Sequence, residues 1–165
     1  MLNLNDKERM LLEDEKSGEE LCIEKYRKYS EEASDQELKN LFKDLMTKEQ
    51  DHLKTLNEML SGTVPPLNNQ QNQQQNNPNM QQNQQTQRNN SKNINTNENQ
   101  ITFKRDKILC QDSLAGEKYV SSTYNTTIFE IKDANARQVL NHIQKEEQEH
   151  GEKIYNYMQA HNMYS

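Results

Sequence analysis

Glu49-Gln50-Asp51-His52 and Glu147-Gln148-Glu149-His150 are one signature, Glu-x-x-His, written twice in the chain. At about 100° per residue, positions three apart share one face of a helix. The apolar residues around each signature say which face that is. Leu45, Glu49, His52 and Leu56 step by four, three and four, and so do Ile143, Glu147, His150 and Ile154. A glutamate and a histidine therefore stand in the middle of each core seam, where a hydrophobe is expected.

The repeat extends outward from these signatures. Adding 98 to the residue number overlays Met10–Ser61 on the second half without a gap, with 10 identities over 52 positions. Asp14 meets Asp112, Gly18 meets Gly116, Glu19 meets Glu117 and Tyr26 meets Tyr124. Each half reads as two helices. In the first, Asp6 to Ala33 lacks proline and is rich in Glu, Lys and Leu, which favour helix. Ser34-Asp35-Gln36-Glu37 is a stop and restart, with Ser34 and Glu37 spaced as a capping box. The next helix carries the stripe Leu38, Leu41, Phe42, Leu45, Leu56, Met59 and Leu60, and ends at Gly62 before Pro65-Pro66. In the second half, helices are expected over 103–131 and 136–160, the latter with the stripe Val139, Leu140, Ile143, Ile154, Tyr157 and Met158.

Between the halves, 24 of the 33 residues from Asn68 to Gln100 are Asn or Gln. Such a segment offers no apolar face and is expected to be a disordered, solvated crossover. Asn/Gln-rich tracts can also associate through side-chain amide ladders, so an adhesive segment is the alternative. The expected organisation is a first hairpin over 1–62, a linker over 63–102 and a second hairpin over 103–165. Either flank alone buries a marginal core, so the two hairpins are expected to pack as one composite domain. The fold class is all-α, a ferritin-like four-helix bundle with its long crossover between the second and third helices.

The inward face of the first helix reads Leu12, Glu19, Cys22/Ile23, Tyr26 and Ala33, and that of the third Leu109, Glu117, Val120, Tyr124 and Ile131. Glu19 lies 30 residues before Glu49, and Glu117 lies 30 before Glu147. In antiparallel hairpins these carboxylates reach one height. Four buried carboxylates repel one another and are strongly desolvated unless a positive charge compensates. Two divalent cations supply it, and an oxygen-rich shell with imidazole suits iron or manganese. The candidate metal ligands are therefore Glu19, Glu49, His52, Glu117, Glu147 and His150. The competing reading is a buried, hydrogen-bonded polar layer. Gly18 and Gly116, each just before a ligand glutamate, suggest room for close helix approach. Tyr26 and Tyr124 read as core aromatics whose hydroxyls have a partner, with a place beside the metal ligands as the alternative. Glu32, Glu130, His142 and His161 fall outside the inward stripes and read as surface residues.

Composition excludes several classes. The net charge is −6 and the pI about 5.3, with no Lys/Arg block, which argues against nucleic acid as a partner. No apolar run approaches the length of a membrane span, and no charged leader with an apolar core opens the chain, so neither membrane nor secretory signal is expected. Cys22 and Cys110 are too few for a disulfide framework or a four-cysteine zinc site and read as small buried hydrophobes.

Residues Glu117-Lys118-Tyr119-Val120-Ser121, Tyr124-Asn125 and Lys145-Glu146-Glu147-Gln148-Glu149-His150 resemble the coat F family of spore coat proteins. The ending Tyr157-Met158-Gln159-Ala160-His161-Asn162-Met163-Tyr164 is similar to that family's closing pattern, with Asn162 where a glycine is usual. That departure predicts a different ending for the last helix. The resemblance is close over residues 106 to 164 and looser, as a ferritin-like half, over 6 to 62. It implies a place in the bacterial spore coat beside other spore coat proteins, after synthesis in the mother-cell cytoplasm. A homo-oligomer is compatible with it. Two roles follow: a structural coat protein whose bundle holds a dinuclear metal site, or a dimetal oxidoreductase of rubrerythrin or manganese-catalase type acting on peroxide or oxygen. Without a rubredoxin-like cysteine pair, electrons for a peroxidase would come from elsewhere.

Overall fold

The computed structural model describes residues 1–66 and 96–164. They form four helices: α1 (Asp6–Glu32), α2 (Gln36–Leu60), α3 (Thr96–Glu130) and α4 (Ala134–Ala160). No strand occurs among the described residues. No helix among them is long and apolar enough to cross a membrane. The crossover expected from the Asn/Gln block lies, over 67–95, outside the described residues.

Local chemistry sets the helix ends. Asn5 opens α1 with a capping box: its side chain accepts from the Glu8 N–H at 2.9 Å, and its own N–H donates to the Glu8 carboxylate at 2.8 Å. The cap of α2 is Asp35, not Ser34 as the capping-box spacing predicted. Asp35 is extended and accepts from Glu37 N–H at 2.6 Å, while the Ser34 N–H donates to Asp106 in the other hairpin. The capping position thus moves one residue, to the side chain left free to fill it. Asp133, the counterpart of Asp35, caps α4 through Ala136 N–H at 2.8 Å. α3 begins at Thr96, seven residues before the expected start at Phe103. Extending an established helix by one residue costs little, so polar turns can continue one that the core has nucleated.

Two helices end in Schellman motifs. After α2, Gly62 has φ +94°, its N–H donates to Met59 O and the Thr63 N–H to Glu58 O. After α4, Asn162 takes φ +55° and repeats the motif, with Met163 N–H donating to Met158 O at 2.8 Å. The different ending predicted from Asn162 is not found. Asparagine is one of the few non-glycine residues that adopt the left-handed conformation readily.

Helix register follows from cross-helix pairs. Glu8 meets Lys132, Tyr26 meets Glu117, and Ser34 meets Asp106, so α1 and α3 run antiparallel. His52 meets Glu146 and Asp35 meets His161, so α2 and α4 do too. α1 and α4 therefore point one way, α2 and α3 the other. The end of α2 and the start of α3 lie at opposite ends of a bundle about 40 Å long. No short loop can join those two ends.

The buried stripes are those the apolar spacing predicted. Leu38, Phe42, Leu45, Leu56 and Met59 of α2 face Val139, Leu140, Ile143, Ile154, Tyr157 and Met158 of α4. Leu41 and Leu60 are only partly buried at the edge. Tyr26 stacks on Phe42 with ring centroids 5.7 Å apart. Cys22 and Cys110 are free and buried. Two acids tie the hairpins together at their turns. Glu8 accepts the Lys132 N–H at 2.8 Å, and Asp106 accepts the Ser34 and Asp35 N–H groups at 2.8 and 3.1 Å. Glu8 and Asp106 are counterparts under the 98-residue repeat, so the clasp is reciprocal. Asp106→Ala leaves two backbone donors at the α1–α2 turn without their acceptor. It is expected to lower stability by about 1–2 kcal/mol in urea unfolding.

Candidate metal centre

The core seams bring Glu49 and His52 of α2 against Glu147 and His150 of α4 at mid-bundle. α1 and α3 add Glu19 and Glu117 at the same height. All six side chains predicted as ligands come together there, each no more than 2 % exposed. Their donor atoms fall into two groups, each with atoms within 4.8 Å of one another: Glu19, Glu49, His52 and Glu147, and Glu49, Glu117, Glu147 and His150. Glu49 and Glu147 belong to both.

The distances show how close the donors lie. His52 Nδ1 is 2.8 Å from Glu147 Oε1, 3.0 Å from Glu49 Oε2 and 3.8 Å from Glu19 Oε2. His150 Nδ1 is 3.2 Å from Glu49 Oε1, 3.6 Å from Glu117 Oε2 and 3.7 Å from Glu147 Oε2. The imidazoles stack at 5.6 Å. Despite this crowding, Glu19 Oε2, Glu49 Oε1, Glu117 Oε2, both oxygens of Glu147 and His150 Nδ1 make no hydrogen bond. Buried polar atoms without a bond are rare and mark places where an ion or water completes the set. Here they cluster in one layer, and the donor chemistry, carboxylate oxygen with imidazole nitrogen, fits Fe²⁺ or Mn²⁺.

Further groups hold this layer. The Tyr26 hydroxyl donates to Glu117 and the Tyr124 hydroxyl to Glu19, each crossing between the hairpins. The tyrosines are thus both core aromatics and partners of the candidate ligands. Glu146, 9 % exposed, meets His52 Nε2 at 3.1 Å and lies 3.5 Å from His142 Nε2 and 3.8 Å from Lys48 Nζ. His142, read as a surface residue, is half-exposed and reaches the site only through Glu146. His161 stacks on Tyr157, and Glu32 and Glu130 are exposed. Glu15 is buried and accepts from Thr127 at 2.6 Å and Thr123 at 2.9 Å. The glycines differ from their expected role. A Cβ on Gly18 would touch nothing, whereas one on Gly116 would meet the Lys25 ammonium, so Gly116 admits a side chain rather than a helix.

Sequence reasoning missed Glu8, Glu15, Asp106 and Glu146. Glu15 was detectable, because it lies one turn before Glu19 on the inward stripe.

Without metal the layer neutralises itself. Burial raises the Glu19 carboxyl to about 8 and the Glu117 carboxyl to about 7. Burial also acts to raise Glu49 and Glu147, but the close His150 and His52 imidazoles outweigh it and hold both below the usual carboxylate range. Burial acts to lower the two histidines, yet the surrounding glutamates win. His52 is held well above its ordinary value and His150 at about 11. Below pH 7 the six candidate ligands thus comprise two carboxylates, two imidazolium ions and two neutral acids, with the Glu146 carboxylate beside His52.

Residues 105–165 match the family model described as the Coat F domain. No curated protein and no solved structure matches the chain.

Proposed function

We propose, from the Coat F domain that the chain carries over residues 105–165, a structural role in the spore coat for a ferritin-like bundle with a dinuclear metal centre. One observation carries the metal reading: Glu49 and Glu147 belong to both groups of converging donors. Glu19 and His52 would hold one ion, Glu117 and His150 the other, and the two shared glutamates would serve both. Iron or manganese suits this donor set. In a structural protein such ions fasten four helices at mid-height, where four acids would otherwise repel.

A second reading is a dimetal oxidoreductase of rubrerythrin or manganese-catalase type. The buried Tyr26 and Tyr124 hydroxyls on Glu117 and Glu19 favour it, because they hold the carboxylates that would change their bonding as charge changes. Metal ions there would polarise peroxide or oxygen. The chain's own part would be to exclude water and keep the carboxylates aligned.

Metal analysis by mass spectrometry, after expression with iron and manganese supplied, is expected to give about two ions per chain. The Glu49→Gln/Glu147→Gln variant is expected to give none. Removing both charges lets both imidazoles shed their protons, so this variant keeps its helical circular dichroism. A folded wild-type protein without metal would reduce the centre to a polar core layer. Peroxide turnover by the loaded protein separates the two functional readings, and incorporation of the variant into coats marks the structural one.

A further inference from the structure

The 98-residue repeat gives each half of the centre a counterpart in the other, and at three places the counterparts differ in charge. Glu146 meets His52 Nε2 at 3.1 Å; its counterpart, on the helix that carries the other half's glutamate, is Lys48, whose ammonium lies 3.8 Å from Glu146 itself. Glu15, buried one turn before Glu19, has Ser113 as counterpart before Glu117. Lys25 lays its ammonium against Gly116, which precedes Glu117, whereas its counterpart is the neutral Thr123 and Gly18 has open space beside it.

Glu15 and Glu146 add two carboxylates around Glu19 and His52 for which Glu117 and His150 have no counterpart, and the single ammonium of Lys48, paired with Glu146, offsets only part of that excess. A carboxylate near a cation site strengthens it and an ammonium weakens it. A carboxylate on the far nitrogen of a ligand histidine also fixes the ring and makes it a better donor.

We propose that the two metal positions are unequal by construction, the Glu19–His52 position taking a divalent cation first and holding it more tightly than the Glu117–His150 position. This rests on the dinuclear reading above. Glu146 acts as a positioning residue for His52, not as a ligand.

The metal-free full chain is titrated with Co²⁺, with bound ions counted by native mass spectrometry and affinities read by calorimetry. Two steps are expected, the first tighter by about tenfold or more. His150→Ala is expected to remove the weaker step and His52→Ala the tighter one. Glu146→Gln is expected to weaken the first step about 10- to 100-fold and to leave the second near its wild-type value. Two ions bound with equal affinity, or a Glu146→Gln variant that weakens both steps alike, would overturn the proposal and leave the dinuclear reading standing. A folded chain that binds no cobalt would overturn the dinuclear reading and this inference with it.

Discussion

Glu147→Gln is expected to destabilise the metal-free protein by about 3–5 kcal/mol at pH 6, whereas Glu19→Gln changes it by less than about 1 kcal/mol. The residues are equally buried and 128 positions apart in the chain, yet their charge states differ. Burial keeps Glu19 neutral at that pH, so an amide replaces an acid of nearly the same shape. Glu147 is ionised between His52 and His150, and losing it leaves the two buried imidazolium ions to share Glu49, with Glu146 on the far nitrogen of His52 alone. Breaking a buried pair on one side is the costly case, because the remaining charge keeps its desolvation penalty. Urea unfolding of the two single variants, with chelator present, measures both changes. Equal losses would contradict the charge assignment of the layer. The double variant Glu49→Gln/Glu147→Gln should cost less than the sum of its parts, since members of one network are not additive.

The second large effect is on the pH dependence of stability. Glu19 and Glu117 have folded values of about 8 and about 7, above the ordinary 4.5. For groups raised in this way the folded state binds the extra proton, so their contribution is full below 4.5 and is lost as pH rises through 7 and 8. His52 and His150 are also raised, and their contribution falls from about pH 6.5 upward, through about 11 for His150. Glu49 and Glu147 are lowered, so what they contribute is present above 4.5 and lost on acidification. The metal-free protein should therefore be most stable near pH 5. Its melting temperature should fall by roughly 10 °C between pH 5.5 and 8.5. Mn²⁺ should reverse the trend, because it binds the deprotonated ligands and stabilises only the folded state. Thermal melts with and without Mn²⁺ across that range test this. A metal-free protein that grows more stable towards pH 8.5 would contradict it.

Much of the centre was legible because helical periodicity is a local property. The four-three-four steps through Glu49 and His52, and again through Glu147 and His150, place those residues in the core without knowledge of any partner. Glu19 and Glu117 followed from the same stripes on the neighbouring helices. Glu8 and Asp106 were not legible, because their partners are backbone N–H groups in the opposite hairpin, about 70 to 125 residues away. Glu146 lies beside a ligand in the chain, but its role depends on which nitrogen of His52 it faces across α2 and α4. The cap at Asp35 was misplaced for a similar reason: Asp106 claims the Ser34 N–H, and that claim comes from outside the turn.

The pairs that join the hairpins obey a rule of exchange. Tyr26 reaches Glu117, and Tyr124, the counterpart of Tyr26, reaches Glu19, the counterpart of Glu117. Glu8 and Asp106 repeat the pattern at the turns. When residue i meets j and the counterparts meet in return, the interface has the form of a two-fold homodimer, here drawn from one polypeptide. Tethering the halves makes their encounter intramolecular, at an effective concentration set by the connection and not by the bulk solution. Assembly of the four-helix unit then does not depend on how dilute the protein is. The same tether frees each half to diverge, which two identical subunits cannot do, and so lets Glu15 and Glu146 gather on one side of the centre without counterparts on the other.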